Sequence, residues 1–471
     1  MQLSEDLIRS VVQQVLTQMG TAGGPSTNGH HRPTGTLGIY GSADDAVHAA
    51  EAAFKKYRSR PLADRKKVVE VIKSTCVKDA EEFGRKELDE TKIGRLDHKV
   101  AKLRDFIPLV PGVEFLKTDI LAGDDGVTLT DYAPFGVIGA ITPVTHSLPT
   151  LAANAINMLA AGNTVVFNAH PSGAKIAAEG VRRFNKGIAA AIGIDDLITI
   201  IDPPTLESAA ALFDHRGVKL LVVTGGPAVA RAALGSKRRA IVAGPGNPPV
   251  VVDATADLEI AAKSIVFGAA FDNNLLCIGE KQVFAVSEIF DKLMEAVARH
   301  GGHRLSSGQV DMLTKAAFPK GDDGKLHVDK DLVGKDPDVL ARHAGTTAPA
   351  NAQILYGETA ADHPFVTHEQ MMPFIPFVRV ADVDRAIAMA VASEHGYGHT
   401  AMLHSRDTGV MERMGKAMDC TIFVVNGPST AGLGERVPSF SIAGPTGEGI
   451  TTPLTFCRQR RSAIVGGMRF V

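Results

Sequence analysis

One short stretch holds the clearest chemical option in the chain. "FDNNLLCIGEKQ", Phe271 to Gln282, carries a single cysteine, Cys277, with two asparagines and two leucines before it and a glycine and a charged pair after it. A thiolate attacks carbonyl carbon readily, even at the few per cent present when a thiol of pKa about 8.5 meets neutral pH. A free cysteine is more often a small buried hydrophobe, so the surroundings must decide. Two glycine turns precede it. "VVTGGPAVARAA" reads as a strand ending in Gly225 and Gly226, then a helix. Such glycines let a ligand approach the backbone, and the helix start offers free N–H groups to a phosphate or pyrophosphate. "AGPGNPP", Ala243 to Pro249, is a second glycine turn after a strand. Neither is GxGxxG, and tight strand–helix packing explains such glycines equally well. No GxxxxGK[ST] occurs, which disfavours a P-loop nucleotidase.

These residues need a scaffold, and the chain supplies a regular one. From Val137 apolar strands alternate with helices: "VIGAIT", "PTLAANAINMLAAG", "NTVVFNAHP", "SGAKIAAEGVRRFNKGIAAA", "LITIID", "TLESAAALFDH", "KLLVVTGG", "PAVARAAL", "RAIVAGPG". Strand and helix in turn imply right-handed crossovers and a parallel sheet covered on both faces. Continuous apolar strands such as "LLVV" fit burial on both sides. A second, similar stretch runs from "VVVDATADLEIAAKSIVFGAAF" to "TIFVVNG". Upstream, "DDAVHAAEAAFKKYRSR" and "LADRKKVVEVIKSTCVKDAEEFGRKELDET" read as amphipathic helices, and "VTLTDYAPF" and the terminal "SAIVGG" as β.

Composition narrows the classes. The chain has 471 residues, 45% hydrophobic and 22% charged, an ordinary globular make-up with room for several domains. A net charge of −2 offers no basic stripe for nucleic acid. No apolar run reaches the roughly 18 residues of a membrane span, and Glu5 and Asp6 stand where a secretory signal would be positive. Four cysteines, Cys76, Cys277, Cys420 and Cys457, without a CxxC, argue against a disulfide framework or structural zinc. His368, His395, His399 and His404 lack metal spacing, so no metal is expected. A reduced, cytoplasmic protein is the expectation.

The N-terminus is distinct. In "LSEDLIRSVVQQVLTQM", Leu3, Leu7, Val11, Val15 and Met19 recur every fourth residue, with Ile8, Val12 and Leu16 beside them. That predicts an amphipathic helix. The Gly/Pro/Ser-rich "GTAGGPSTNGHHRPTG" that follows reads as a linker. A tethered helix must dock its apolar face, on its own body, a sister subunit or another protein.

Taken in order, "VIGAITPVTHSLPTLAANAINMLAAGNTVVFNAHPSG", "VVTGGPAVARAA", "AGPGNPPVVVD", "FDNNLLCIGEK" and "HEQMMPFIPFVRV" resemble the aldehyde dehydrogenase superfamily. More narrowly they resemble its CoA-acylating branch, the propionaldehyde dehydrogenases of bacterial microcompartments. The resemblance covers residues 37–471, and the N-terminal helix resembles that branch's encapsulation peptide. It implies an α/β fold of two parallel-sheet domains plus a small β oligomerisation arm. The segments would be an encapsulation-type helix (1–20), a linker (21–36), an NAD- and CoA-binding domain (37–120 and 134–250), a catalytic domain (251–431) and the arm (121–133 and 432–471). It implies Cys277 as nucleophile, Thr142 and Pro143 beside the nicotinamide, and Asn168, His170 and Pro171 on the adenosine side. Gly225 and Gly226 would lie near the pyrophosphate, Thr224 and Gly244 would also bind the cofactor, and Glu369 would hold the nicotinamide ribose. NAD and coenzyme A are the implied cofactors, and a homodimer or homotetramer the implied assembly. Residues 1–20 would bind a shell protein or a co-encapsulated enzyme, placing the protein inside a microcompartment.

Two departures bear on the chemistry. Hydrolytic members carry a glutamate base in the segment matching "IVAGPGNPPVV", and none is present here. An acylated thiol is then suited to attack by another thiol, that of CoA, rather than by water. Hydrolytic members also place an asparagine where Thr145 stands in "TPVTHS", with His146 next, so these two are the candidates for the oxyanion or substrate contact. The implied reaction is NAD-dependent oxidation of a short aldehyde, propionaldehyde, through a Cys277 thioester, ping-pong with CoA. The alternatives are an acetaldehyde-preferring enzyme, a hydrolytic or acyl-phosphate-forming relative, and a non-catalytic microcompartment scaffold.

Overall fold

The computed structural model describes residues 35–433 and 438–467. The helix expected over residues 1–20, and all but the end of the linker, lie outside the described residues. In chain order the first eight strands are β1 (Ile39–Tyr40), β2 (Asp119–Gly123), β3 (Gly126–Pro134), β4 (Val137–Thr142), β5 (Thr164–Ala169), β6 (Ile198–Ile201), β7 (Val218–Thr224) and β8 (Ala240–Ala243). Six of them form a parallel sheet in the order β1-β6-β5-β4-β7-β8. Side chains alternate across a strand, and here both faces are apolar. Ile138, Val165, Phe167, Leu220 and Val222 enter one core, with the helices Leu62–Lys78, Ser147–Ala160 and Ala174–Ile192. Val137, Ile141, Val166, Leu221 and Val223 enter the other, with Ala43–Tyr57 and Leu206–Asp214. Burying each such side chain stabilises by about 1.5–3 kcal/mol, which explains why these strands read as unbroken apolar runs.

The second half adds β9 (Pro249–Val252), β10 (Gln282–Val286), β11 (Gly302–Arg304), β12 (Ile354–Glu358), β13 (Phe374–Val380), β14 (Thr400–His404) and β15 (Ile422–Val425). They form a seven-stranded sheet, β11-β12-β13-β10-β9-β14-β15, parallel throughout. Its core gathers Val250, Val251, Val252, Phe284 and Phe377 with the helices Leu258–Ala270, Phe290–Arg299 and Val383–Glu394.

After the short pair β16 (Ile442–Ala443) and β17 (Gly449–Ile450), β18 (Cys457–Val465) pairs antiparallel with β3, which also pairs with β2. This three-stranded arm leaves Ile120, Leu121 and Val465 at 63%, 72% and 84% exposure. Of the residues assigned to the arm from sequence, only part joins it. Phe440, Ala443 and Phe456 instead bury themselves in the first core, because aromatic and small apolar side chains gain more there than on an exposed ribbon. Among the described residues no helix is long and apolar enough to cross a membrane.

Candidate active site

The candidate residues lie at opposite ends of the two sheets. Thr142 ends β4, Asn168 lies near the end of β5, Thr224 ends β7, and Gly244 follows β8, so the first sheet contributes its C-terminal edge, where parallel sheets take ligands. The second sheet contributes its N-terminal edge. Lys281 immediately precedes β10 and His399 immediately precedes β14. Gly246 and Asn247 lead into β9, and Glu369 lies just ahead of β13. These four strands, β13, β10, β9 and β14, are neighbours in the sheet. Strand order therefore collects residues that are far apart in sequence.

The turn that carries Cys277 has an unusual backbone. Asp272, Asn273 and Asn274 have φ of 50, 55 and 64°. Left-handed backbone costs an ordinary residue roughly 1–2 kcal/mol, and Asn and Asp bear it best. Each of the three side chains is held. Asp272 Oδ1 accepts from the Arg95 amide at 2.8 Å. Asn273 Nδ2 donates to Gly334 O at 3.0 Å and to Asp336 Oδ1 at 2.7 Å. Asn274 Nδ2 donates to Ala269 O at 3.0 Å and Glu280 O at 2.9 Å. The "DNN" of the sequence is thus the turn that aims the thiol.

Lys281 closes the turn. Its ammonium is fully buried and donates to Asn274 O at 2.8 Å, Asn274 Oδ1 at 2.6 Å and Leu276 O at 3.1 Å. Burial pulls its pKa down to about 8, against the pull of Glu369, Cys277 and Glu280. Cys277 is half-buried, and burial, then the Glu369 charge, push its thiol up to about 12 while Lys281 opposes them. Glu369, also half-buried, is raised to about 7 by burial, against Lys281 and a bond from the Gly246 backbone. Glu280 is raised to about 7 by burial, against bonds from the Ser429 amide at 2.8 Å and hydroxyl at 2.7 Å. Gly246 has to be glycine: a Cβ there would lie 2.4 Å from the Cys277 carbonyl oxygen and 3.1 Å from the His399 ring.

His399 completes the group. It is fully buried, burial and Lys281 lower its pKa to about 4, and Nδ1 lies 2.8 Å from Thr400 Oγ1. Its Nε2 has no partner among the described residues. The sequence gives Lys281 no role and marks His399 only as a histidine without metal spacing. The adjacent "EK" and the strand-initial "HT" were visible, but only the strand order brings them to the thiol.

The first-sheet candidates divide. Thr142 Oγ1 is buried without a partner among the described residues, Gly226 has open space where a Cβ would be, and His170 and Pro171 are exposed. An orphan hydroxyl and a bare glycine turn on one sheet edge fit a dinucleotide's polar groups. Thr224 and Asn168 are already engaged, Thr224 Oγ1 with Ser441 Oγ at 2.7 Å and Asn168 Oδ1 with Ser208 Oγ at 2.6 Å. Thr145 is half-buried, and its Oγ1 lies 3.3 Å from Nε2 of the buried His146. The segment 241–251 has no carboxylate; the one that acts on Cys277 comes from Glu369.

A thiol held this high is almost entirely protonated at neutral pH. The rate of Cys277 alkylation by iodoacetamide in the free enzyme is expected to rise about tenfold per pH unit from pH 7 to pH 10. A plateau near the ordinary thiol pKa would contradict that environment.

A model of the aldehyde dehydrogenase family matches residues 37–312. The chain is 41% identical to the acetylating acetaldehyde dehydrogenase EutE of Salmonella typhimurium, over 100% of both chains. It is similar to the crystal structure of Rhodopseudomonas palustris propionaldehyde dehydrogenase with bound propionyl-CoA, at 40% identity and a TM-score of 0.88, covering 94% of this chain and 98% of that one. A propionaldehyde dehydrogenase from the Clostridium phytofermentans fucose utilisation bacterial microcompartment matches at 36% identity and a TM-score of 0.89, covering 93% and 100%.

Proposed function

The chain belongs to the aldehyde dehydrogenase family, and on that premise we propose that it oxidises propionaldehyde to propionyl-CoA through a thioester on Cys277. It is a CoA-acylating oxidoreductase. The observation that carries the thioester is the aimed turn: Cys277 follows three left-handed residues whose side chains are all held, and it feels the charges of both Lys281 and Glu369.

The steps follow from the chain's own groups. The Cys277 thiol gives up its proton to solvent water, and Sγ bonds to the aldehyde carbon as the C=O π bond breaks onto oxygen. The resulting alkoxide needs donors, for which the Cys277 amide and the Thr145 hydroxyl are available. NAD, when bound, supplies the hydride acceptor. Thr142, Pro143, Gly225, Gly226 and Gly244 would hold it, with His170 and Pro171 toward the adenosine, and Glu369 would hold the ribose. Loss of hydride leaves the acyl group on Sγ. CoA thiolate then bonds to the acyl carbon, the bond from that carbon to Cys277 Sγ breaks, and Cys277 leaves as the thiolate. The CoA proton passes to solvent; His399, whose ring lies beside the Gly246–Cys277 contact and whose Nε2 has no partner among the described residues, stays neutral and at a pKa of about 4 is too weak a base to take it.

The decisive assay is NADH formation with C2 to C4 aldehydes, with and without CoA. Propionyl-CoA accumulating only when CoA is present supports the reading. CoA-independent carboxylate formation marks a hydrolytic enzyme, and a preference for the C2 substrate marks an acetaldehyde dehydrogenase. Inert Cys277 marks a scaffold.

The assembly reading has separate support. The exposed Ile120, Leu121 and Val465 give the arm an apolar surface suited to pairing subunits into a dimer or tetramer. The periodic residues 1–20, together with a microcompartment relative, support delivery to a shell. Deleting residues 1–20 is expected to leave turnover per molecule within about twofold, since an isolated helix of that length is marginal alone and folds on its partner. Co-sedimentation with shell proteins should be lost. Loss of the oligomer instead would make the helix a subunit-packing element.

A further inference from the structure

A buried ionic cluster lies behind the thiol turn, and nothing in the chemistry above uses it. Glu87, Lys99, Lys102 and Asp272 are each at most 1% exposed. Asp272 Oδ2 pairs with Lys102, and Lys99 Nζ lies 3.9 Å from the same oxygen and 3.7 Å from Glu87 Oε1. Two lysines and two carboxyl groups therefore face one another out of reach of solvent, where burial raises Glu87 and lowers Lys102 against the attraction of their partners. Burial alone would raise the Asp272 carboxyl, but Lys102 and Lys99 hold it at about 2. Such a group gains little stability over an apolar packing of the same volume, whereas removing one partner leaves an uncompensated buried charge.

Its connections give it a second use. Through Asp272 it holds the turn that carries Cys277: Oδ1 accepts from the Arg95 amide at 2.8 Å, and the Asp272 amide donates to His98 Nδ1 at 2.8 Å. Gly94 must lack a side chain here, since a Cβ would stand 2.2 Å from Asp272 Oδ1. Through Glu87 it holds the opposite loop. Glu87 Oε1 accepts from the Ser147 amide at 3.0 Å, at the first residue of the helix Ser147–Ala160 and two residues after Thr145. The His146 ring, 3.3 Å from Thr145 Oγ1, feels Lys102, Asp272 and Lys99. One cluster thus grips a loop from each domain.

We propose that the Glu87–Lys99–Lys102–Asp272 cluster is a positioning device that sets Cys277 against Thr145. The proposal rests on the thioester reading above. Its charges act through balance and through two hydrogen bonds, and none of them touches substrate.

The test uses the full-length enzyme. Glu87→Gln keeps an acceptor for the Ser147 amide but leaves two lysines with one counter-charge. Lys99→Met removes the lysine that makes no hydrogen bond among the described residues. Each single variant is expected to lower single-turnover hydride transfer from propionaldehyde at least tenfold. Alkylation of Cys277 by iodoacetamide, which needs the thiol but not Thr145, should stay within threefold. The double variant, neutral again, should recover hydride transfer to within tenfold of wild type. Folded single variants in which both rates are unchanged, or fall in parallel, overturn the proposal. If the single variants do not fold, the double variant decides: recovery supports the device, and a larger loss or an unfolded protein overturns it. Wild-type enzyme with and without CoA runs alongside. If the wild type itself transfers no hydride, the thioester reading has failed, not the positioning alone.

Discussion

Cys277→Ala is expected to lower aldehyde-dependent reduction of NAD by roughly 10⁴-fold or more, the scale seen when a covalent nucleophile is removed. The fold should survive. Cys277 is half-buried at the rim of the second core, so removing its sulfur falls in the ordinary range of about 1 kcal/mol. Binding of NAD, measured by fluorescence titration, should change little, because the residues assigned to it, on the first sheet and at Glu369, keep their side chains. Turnover retained by the alanine variant would rule out the thiol mechanism. The other cysteines differ in setting. Cys76 is fully buried in the first core, while Cys420 and Cys457 donate to Ile422 O at 3.1 Å and Leu454 O at 3.3 Å. Alanine at these three should cost stability modestly and leave activity per folded molecule intact. Serine at Cys76 is the harsher change, since a hydroxyl there would have to find a partner among apolar neighbours.

Glu369→Gln should move two rates in opposite directions. The Glu369 charge raises the Cys277 pKa, so its removal lets the thiol ionise more easily, and alkylation at pH 8 should quicken several-fold. Hydride transfer should slow by about 10- to 100-fold, because a carboxylate proposed to hold the ribose hydroxyls aligns the nicotinamide, and misalignment by an ångström costs on that order. Acyl transfer to CoA should fall less. Presteady-state kinetics with propionaldehyde, followed by a CoA chase of the acylated enzyme, separates the half-reactions. Equal losses in both, with alkylation unchanged, would give Glu369 a general structural role.

Both predictions show where the sequence is legible. Parallel sheets covered on both faces follow from runs such as "VIGAIT" and "LLVV", because a strand buried on two sides has no polar face to interrupt it. The glycine turns at Gly225–Gly226 and Gly244 are readable for a local reason too, since a strand that ends in glycine and opens a helix is written in adjacent residues. Cys277 could be singled out by the motif order alone. Its setting could not. "DNN" is three polar residues until the backbone is seen to turn left-handed at each of them, with Asp272 fastened to Arg95 and Lys102, and Asn273 to Gly334 and Asp336.

Local pattern determined the strands, the helices and their division into two alternating stretches, and motif order singled out Cys277. Only the tertiary structure decided which residues surround that thiol. Lys281, Glu369, Gly246 and His399 meet because β10, β13, β9 and β14 are neighbours in a sheet whose spatial order differs from the chain order. Glu87 holds the Ser147 amide directly and meets Asp272 of the thiol turn through Lys99, a meeting made by segments far apart in sequence. The physical reason is the range of the interactions. Hydrophobic periodicity and turn chemistry act over a few residues and leave a mark in the sequence. Buried charges act across a few ångströms of space between segments hundreds of residues apart, and no local pattern records them.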